Sequence, residues 1–256
     1  VRFALLGDPV AHSRSPAIQA AALRSAGIEG RYEARQVDAS GVHRACAEMR
    51  AGHLDGANVT MPHKHEAAAA ADRLIGPALR GMAVNTLVAS DGEVEGHTTD
   101  VPAVVDIWAR CGLPLDAPVL ILGSGGAATA ALLALEGRDL AISARSVEAI
   151  TTLVDSLDID ANPHPWGRPL DGAVVVNATP IGMEGESLPD GVLAVASGLL
   201  DMAYGPDPTP AVALALTAGT PVADGLDMLV AQAARSFTLW TGCSPDLEAM
   251  QAAARR

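Results

Sequence analysis

The sequence predicts an α/β protein of two domains, each built on a mostly parallel sheet covered by helices. Two observations carry this. Apolar runs of four to seven residues alternate with longer helical patterns along nearly the whole chain, the rhythm of strand–helix–strand units. A second such series starts after a helix that begins near residue 101, and 256 residues suffice for two ordinary domains. The predicted division is 1–100 plus 226–256 for the first domain and 101–225 for the second, with a cleft between them. In this layout the last long helix and the C-terminal stretch return to the first domain.

Residues 2–6 read as a strand and 15–26 as a helix, with Pro16 in the first turn, where a missing N–H is tolerated. A strand follows at 32–37, a helix at 42–50 and a strand at 56–60. Alanine-rich 65–74 is helical by propensity. Strands at 84–89 and 93–96 flank Ser90-Asp91-Gly92, the composition of a tight hairpin turn. A helix covers 101–110. The second series runs strand 119–122, helix 127–135 and strand 140–144. Strands at 173–177 and 199–202 then flank a loop rich in Gly, Glu and Pro. A helix over 209–217, a short strand at 221–223 and a helix over 226–240 close the series.

Composition removes several function classes. Thirty acidic against seventeen basic residues give a net charge of −13, which opposes a broad electrostatic grip on nucleic acid or an anionic membrane. No stretch reaches the ~18 consecutive apolar residues of a membrane span, and no export signal is visible. Cys46, Cys111 and Cys243 are odd in number, widely spaced and without a CxxC pair, so neither a disulfide framework nor a metal site is expected. His63 and His65 stand two apart and so do not share a helical face, and no metal is expected there. The expectation is a cytoplasmic protein in a reducing compartment that handles a small molecule, as a monomer or homodimer.

Residues 119–130, VLILGSGGAATA, carry G-x-G-x-x-A at Gly123, Gly125 and Ala128, between an apolar strand and a small-residue helix. The first glycine permits the turn, the second lets backbone approach a pyrophosphate, and Ala128 allows close helix–strand packing. Gly126 and Ala127 open the helix, whose free N–H groups and dipole suit phosphate. This context predicts a Rossmann-type dinucleotide site. An NAD site would place an acid about 20 residues further on. Here Ala144-Arg145-Ser146 ends the next strand, and a guanidinium suits a 2′-phosphate, so NADP is the expected cofactor.

Sixteen of the seventeen basic residues are Arg, and the one Lys is Lys64. An Arg does not release its proton near neutral pH, whereas a Lys ammonium can act as acid or base. One Lys must lie somewhere, so the count alone is even evidence. Its place, however, is after the third strand, at the carboxyl ends where open α/β sheets bind ligands. Asp100, at the end of the first domain, is the candidate acid beside it.

These motifs together resemble the shikimate dehydrogenase family over almost the whole chain. Residues 7–16, GDPVAHSRSP, resemble the family's N-terminal loop, which implies Ser13 and Ser15 as ligands of the substrate carboxylate. Residues 58–64, NVTMPHK, resemble its N-V-T-x-P-x-K motif, implying Thr60 as a substrate contact and Lys64 as the catalytic lysine. The same resemblance assigns Asn85 and Asp100 to substrate, and Asp100 remains the candidate acid that would act in catalysis with Lys64. Residues 177–183, NATPIGM, resemble the segment beside the nicotinamide, with Asn177, Thr179 and Met183. Residues 201–206, DMAYGP, resemble D-x-x-Y-x-P, with Met202 on the cofactor side and Tyr204 near substrate. Residues 224–232 resemble the G-x-x-M-L-x-x-Q helix, with Gly225 near the nicotinamide and Gln232 at substrate.

The activity implied is the reversible NADPH-linked reduction of 3-dehydroshikimate to shikimate, in aromatic amino acid (chorismate) biosynthesis. Two departures stand out: Thr98 where the family usually has Asn, and Ala149 where many relatives carry a basic residue. A quinate/shikimate dehydrogenase using NAD(P) and a catalytically silent nucleotide-binding homologue are the alternatives. Ser13 or Ser15 could instead cap the first helix, and Tyr204 could be a buried ring with a satisfied hydroxyl.

Overall fold

The computed structural model describes residues 1–205 and 208–256, which form two compact units. One comprises Val1–Thr99 and Leu229–Arg256, the other Asp100–Met228. Both are α/β, the class read from the sequence.

The first unit contains β1 (Arg2–Gly7), α1 (Ser15–Ser25), β2 (Arg31–Gln36), α2 (Ala39–Arg50), β3 (Gly56–Val59), α3 (Lys64–Ala70), β4 (Arg73–Leu74), α4 (Pro77–Gly81), β5 (Thr86–Ser90) and β6 (Glu93–His97). Its sheet has the order β2-β1-β3-β5-β6-β4. β1 runs parallel to β2 and β3, while β5 is antiparallel to β3 and β6. Alternation along β1 separates two cores, because successive side chains point to opposite faces. Ala4 and Leu6 pack with Val42, Met49 and Leu54, and Phe3 and Leu5 pack with Ile18, Leu23, Phe237 and Met250. The β5–β6 turn has positive φ at both Asp91 (51°) and Gly92 (81°), as a type I′ hairpin requires.

The second unit contains α5 (Asp100–Arg110), β7 (Val119–Leu122), α6 (Gly126–Ala134), β8 (Leu140–Ser143), α7 (Val147–Leu157), β9 (Asn162–Pro163), β10 (Val174–Asn177), β11 (Gly198–Asp201), α8 (Pro210–Thr217) and β12 (Val222–Ala223). Every pair in its sheet, β12-β11-β10-β7-β8-β9, is parallel. All residues of β7, β8, β10 and β11 are buried, which explains why these strands read as continuous apolar runs. The strand order reverses at β7, the switch point of a Rossmann-type sheet. The chain then returns to the first unit through α9 (Gly225–Thr241), and α10 (Leu247–Ala254) packs against α1. Among the described residues no helix is long and apolar enough to cross a membrane.

Several elements differ from expectation, among them α4, β9 and α10, which have no expected counterpart. The helix expected over 65–74 stops at Ala70, because Ala71 turns extended and Arg73–Leu74 pairs with β6. Arg50 anchors this change by donating twice to Asp72, whose carboxylate also accepts the Val94 N–H. The helix expected over 42–50 starts at Ala39, since Asp38 caps it by accepting from Gly41. Helix α7 has no counterpart among the expected elements. Its Val, Ile and Thr content lowers helix propensity, and a Ser146 cap and the burial of Ile150 and Leu157 supply what the pattern lacks.

Candidate functional site

In the first unit several candidate residues lie on the loops that leave the carboxyl ends of the interior strands β1 and β3. β1 and β3 are parallel neighbours, with Leu6 beside Val59, so the loops that follow them leave side by side. The Asp8 N–H donates to the Met61 carbonyl (3.0 Å). A Cβ on Gly7 would stand 2.3 Å from Thr60 Cγ2, so only glycine allows this approach. Ser13 Oγ accepts the Ser15 N–H (3.2 Å), which leaves the Ser13 hydroxyl proton available to a ligand. Ser15 is the first residue of α1 and Arg14 occupies the cap without a side-chain bond, so the capping alternative fails for Ser15. Arg14 instead donates to the Ala254 carbonyl (3.1 Å), tying the loop to α10.

Lys64 opens α3, half-buried, and its carbonyl accepts the Val84 N–H (2.9 Å). The flanking histidines face main-chain carbonyls, His63 Nε2 at Val37 and His65 Nδ1 at Met82, each at 2.8 Å. Asn85 directly precedes β5, and its Nδ2 lies 3.4 Å from Gln232 Oε1 on α9. Gln232 Nε2 in turn donates to the Leu229 carbonyl (2.8 Å). The structure therefore joins Asn85 and Gln232, which lie 147 positions apart. It also sets Asn58, Thr86 and Thr99 against Asn85, with Tyr32 and Ser236 behind them, and the sequence reading assigns none of these five to the site.

In the second unit the glycine turn is as the motif requires. Gly123 has φ +116°, and a Cβ there would lie 2.8 Å from the Ala178 carbonyl oxygen. Gly125 caps α6 in an extended conformation, and a Cβ on it would enter open space, the space a pyrophosphate would use. Ala128 is fully buried beneath. Past β8, Ser146 Oγ accepts the Ala149 N–H (3.1 Å) and keeps its own proton to donate. Arg145 beside it is exposed, with no hydrogen bond or ion pair among the described residues. These residues fit a dinucleotide bearing a 2′-phosphate. Ala144 is buried, so only its backbone can take part.

The residues after β10 and β11 form a polar knot. Asn177 Oδ1 accepts both the N–H (3.1 Å) and the hydroxyl (2.6 Å) of Thr179, while its Nδ2 donates to Ile181 O (2.9 Å) and Asp201 Oδ1 (2.8 Å). Asp201 also accepts from the Ala203 N–H (3.0 Å) and from Thr209 Oγ1 (2.5 Å). The Asn177 side chain is thus spent on shaping the loop that carries Met183. Glu186 Oε2 closes that loop by accepting the Gly182 and Glu184 N–H groups, both at 3.1 Å. Met202 and Tyr204 are half-buried on the next loop, and Pro206 of the same motif lies outside the described residues. Gly225 is a packing glycine, since a Cβ would sit 2.1 Å from the Ala203 carbonyl oxygen.

Burial raises the Asp201 carboxyl above the ordinary range, opposed by its three donors. The folded state then holds that proton more tightly than the unfolded chain, so this group lowers stability as pH rises from about 4. Asp201→Asn should flatten that part of the curve of Tm against pH. Parallel curves for the two proteins would contradict it.

The comparisons with known proteins agree with this layout. The profile of the shikimate dehydrogenase substrate binding domain matches residues 5–87, and that of the shikimate 5′-dehydrogenase C-terminal domain matches residues 225–255. A shikimate dehydrogenase (NADP(+)) of Thermus thermophilus is 38% identical over 261 residues, covering 100% of this chain and 98% of its own. The chain belongs to the shikimate dehydrogenase family. Another member, from Dechloromonas aromatica, is 41% identical over 95% of this chain and 93% of its own. A crystal structure of a Thermus thermophilus shikimate 5-dehydrogenase in complex with NADP(H) and shikimate superposes with a TM-score of 0.91, at 36% identity, covering 100% of this chain and 99% of that one. Family membership accounts for the conjunction of a Rossmann-type unit with the Asn58–Lys64 segment.

Proposed function

We propose that this chain is an NADP-dependent shikimate dehydrogenase, an oxidoreductase acting on a CH–OH group in aromatic amino acid biosynthesis. It interconverts 3-dehydroshikimate and shikimate. The observation that carries the reading is the end-to-end likeness to an enzyme solved with NADP(H) and shikimate, in a chain that keeps Lys64 as its one lysine. The first unit supplies the substrate side and the second the cofactor side.

Bound NADPH supplies the hydride. Lys64 gives the proton that the reduced carbonyl oxygen needs and takes it back in the oxidation direction. Asp100 holds a ring hydroxyl and is the acid that acts with Lys64. Ser13 and Ser15 donate their hydroxyl protons to the substrate carboxylate, and Thr60, Asn85, Tyr204 and Gln232 position the ring. Gly123, Gly125, Gly126 and Ala127 hold the pyrophosphate with main-chain N–H groups. Arg145 and Ser146 receive the 2′-phosphate through charge-assisted bonds. Thr179, Met183, Met202 and Gly225 belong to the loops on the nicotinamide side, shaped by Asn177. Free thiols at Cys46, Cys111 and Cys243 fit a cytoplasmic enzyme.

Following absorbance of NADPH with shikimate and NADP+ tests the activity. Absence of turnover by the intact protein would refute it. Arg145→Ala should raise KM for NADP+ by about tenfold or more, the loss of a charged hydrogen bond, and change KM for NAD+ little. Equal effects on the two cofactors would remove the 2′-phosphate assignment.

A further inference from the structure

Around Asn85 lies a buried polar network drawn from five separate segments. Tyr32, Asn58, Thr86, Thr99 and Ser236 are all at most 8% exposed. Tyr32 OH donates to Asn58 Oδ1 (2.9 Å). Asn58 Nδ2 then has three acceptors for its two hydrogens, the Asn85 carbonyl (3.1 Å), Thr86 Oγ1 (3.1 Å) and Ser236 Oγ (2.9 Å). The hydroxyls of Thr86 and Ser236 are 2.8 Å apart, and Ser236 sits one helical turn from Gln232, to whose carbonyl it donates (3.0 Å).

The direction of these bonds follows from groups with a single role. The carbonyls of Asn85 and Gln232 can only accept, and the Thr99 N–H can only donate. Asn58 must therefore turn its nitrogen toward Asn85, and the Ser236 proton goes to Gln232. Ser236 Oγ is left as an acceptor for Asn58 Nδ2, and with that acceptor site filled the single Thr86 hydroxyl proton goes to Asn85 Oδ1. The Thr99 N–H (2.8 Å) and the hydroxyls of Thr86 (3.1 Å) and Thr99 (3.2 Å) all meet Asn85 Oδ1. Asn85 Nδ2 faces Thr99 Oγ1 (2.9 Å) and Gln232 Oε1 (3.4 Å). A flipped Asn85 would press an NH2 against the Thr99 N–H in a buried site, which is costly.

We propose that Thr86 and Ser236 are positioning residues that lock the Asn85 carboxamide, oxygen inward and nitrogen toward Gln232. Asn85 then meets substrate only through its nitrogen, in exchange for the long 3.4 Å contact to Gln232 Oε1, and the site selects a ligand oxygen that accepts there. The inference rests on the reading of Asn85 and Gln232 as substrate contacts.

Thr86→Val removes the hydroxyl at nearly constant shape, and Thr86→Ser keeps the hydroxyl while losing a methyl. KM for shikimate should rise about tenfold in Thr86→Val and in Ser236→Ala, the loss expected for a buried hydrogen bond. KM for NADP+ should stay within about twofold, and Thr86→Ser should keep the parent KM for shikimate. Tm of each variant shows whether it is folded, and Ser236→Ala carries the test should Thr86→Val fail to fold. If Thr86→Ser is as impaired as Thr86→Val, the role is packing and the proposal is overturned. It is equally overturned if Asn85→Ala raises KM for shikimate while Thr86→Val and Ser236→Ala do not. An Asn85→Ala variant with unchanged KM would refute the substrate reading of Asn85 itself, and the positioning role falls with it.

Discussion

Lys64→Arg is expected to lower kcat for shikimate oxidation by about 10²–10⁴-fold, the range of general acid–base catalysis, with a much smaller change in KM. The substitution keeps a positive charge and hydrogen-bond donors but puts a guanidinium, which does not give up its proton, in place of an amine. It should leave the fold intact. Lys64 is the first residue of α3, and its structural bond to Val84 is made by its backbone carbonyl, which Arg preserves. Tm within a few degrees of the parent would separate a chemical loss from a folding defect. Near-full kcat in the variant would remove Lys64 from proton exchange and reduce its role to charge.

Gly56→Ala should be the most damaging single methyl group in the first unit. The added Cβ would stand 2.3 Å from Trp240 Nε1 and 2.5 Å from its Cδ1. The indole has little room to retreat. It is stacked on Phe3 with centroids 4.5 Å apart, and its Nε1 donates to the Leu87 carbonyl (2.9 Å). Overpacking of this kind costs about 1–3 kcal/mol or more, and losing the indole hydrogen bond adds about 1 kcal/mol. A destabilisation of about 3 kcal/mol or more is expected in urea unfolding, with Tm lower by roughly 10 °C. Trp240 lies two turns beyond Gln232 on α9, so KM for shikimate should rise as well. A loss below about 1 kcal/mol would mean that the indole moves aside freely.

The two substitutions probe features of different legibility. Lys64 stands out in the sequence because it is the one lysine in a composition that otherwise uses arginine. The glycine turn at Gly123–Ala128 stands out because a tight turn, a close phosphate and a close helix each require a small residue at a set spacing. The Asp91-Gly92 hairpin is legible for the same reason. Gly56 gives no such signal, since nothing local demands it, and its neighbour Trp240 is 184 positions away. Helix α7 is hidden by β-branched residues, and the end of α3 by alanines whose propensity is overridden when β4 pairs with β6.

The same division runs through the candidate site. Ser13, Thr60, Asn85 and Gln232 can be named only through the resemblance of short motifs to the family, whereas Lys64 also stands out as the one lysine. Asn177 belongs to the right segment, yet its amide is spent on Thr179, Ile181 and Asp201, so the motif marks a loop support. Tyr32, Thr86, Thr99 and Ser236 escape a reading by motif, since a polar residue on a strand or helix looks solvated until its burial is seen.

The residues alone were enough for the two-domain α/β class, the NADP-type turn and the singling out of Lys64 as the one lysine, because period, turn geometry and residue type are local properties. Folding in three dimensions was needed to settle how the amides of Asn85 and Gln232 are held and why Gly56 and Gly225 bear no side chain. Those depend on groups brought within hydrogen-bond or van der Waals distance from remote parts of the chain, and burial gives such contacts their energy.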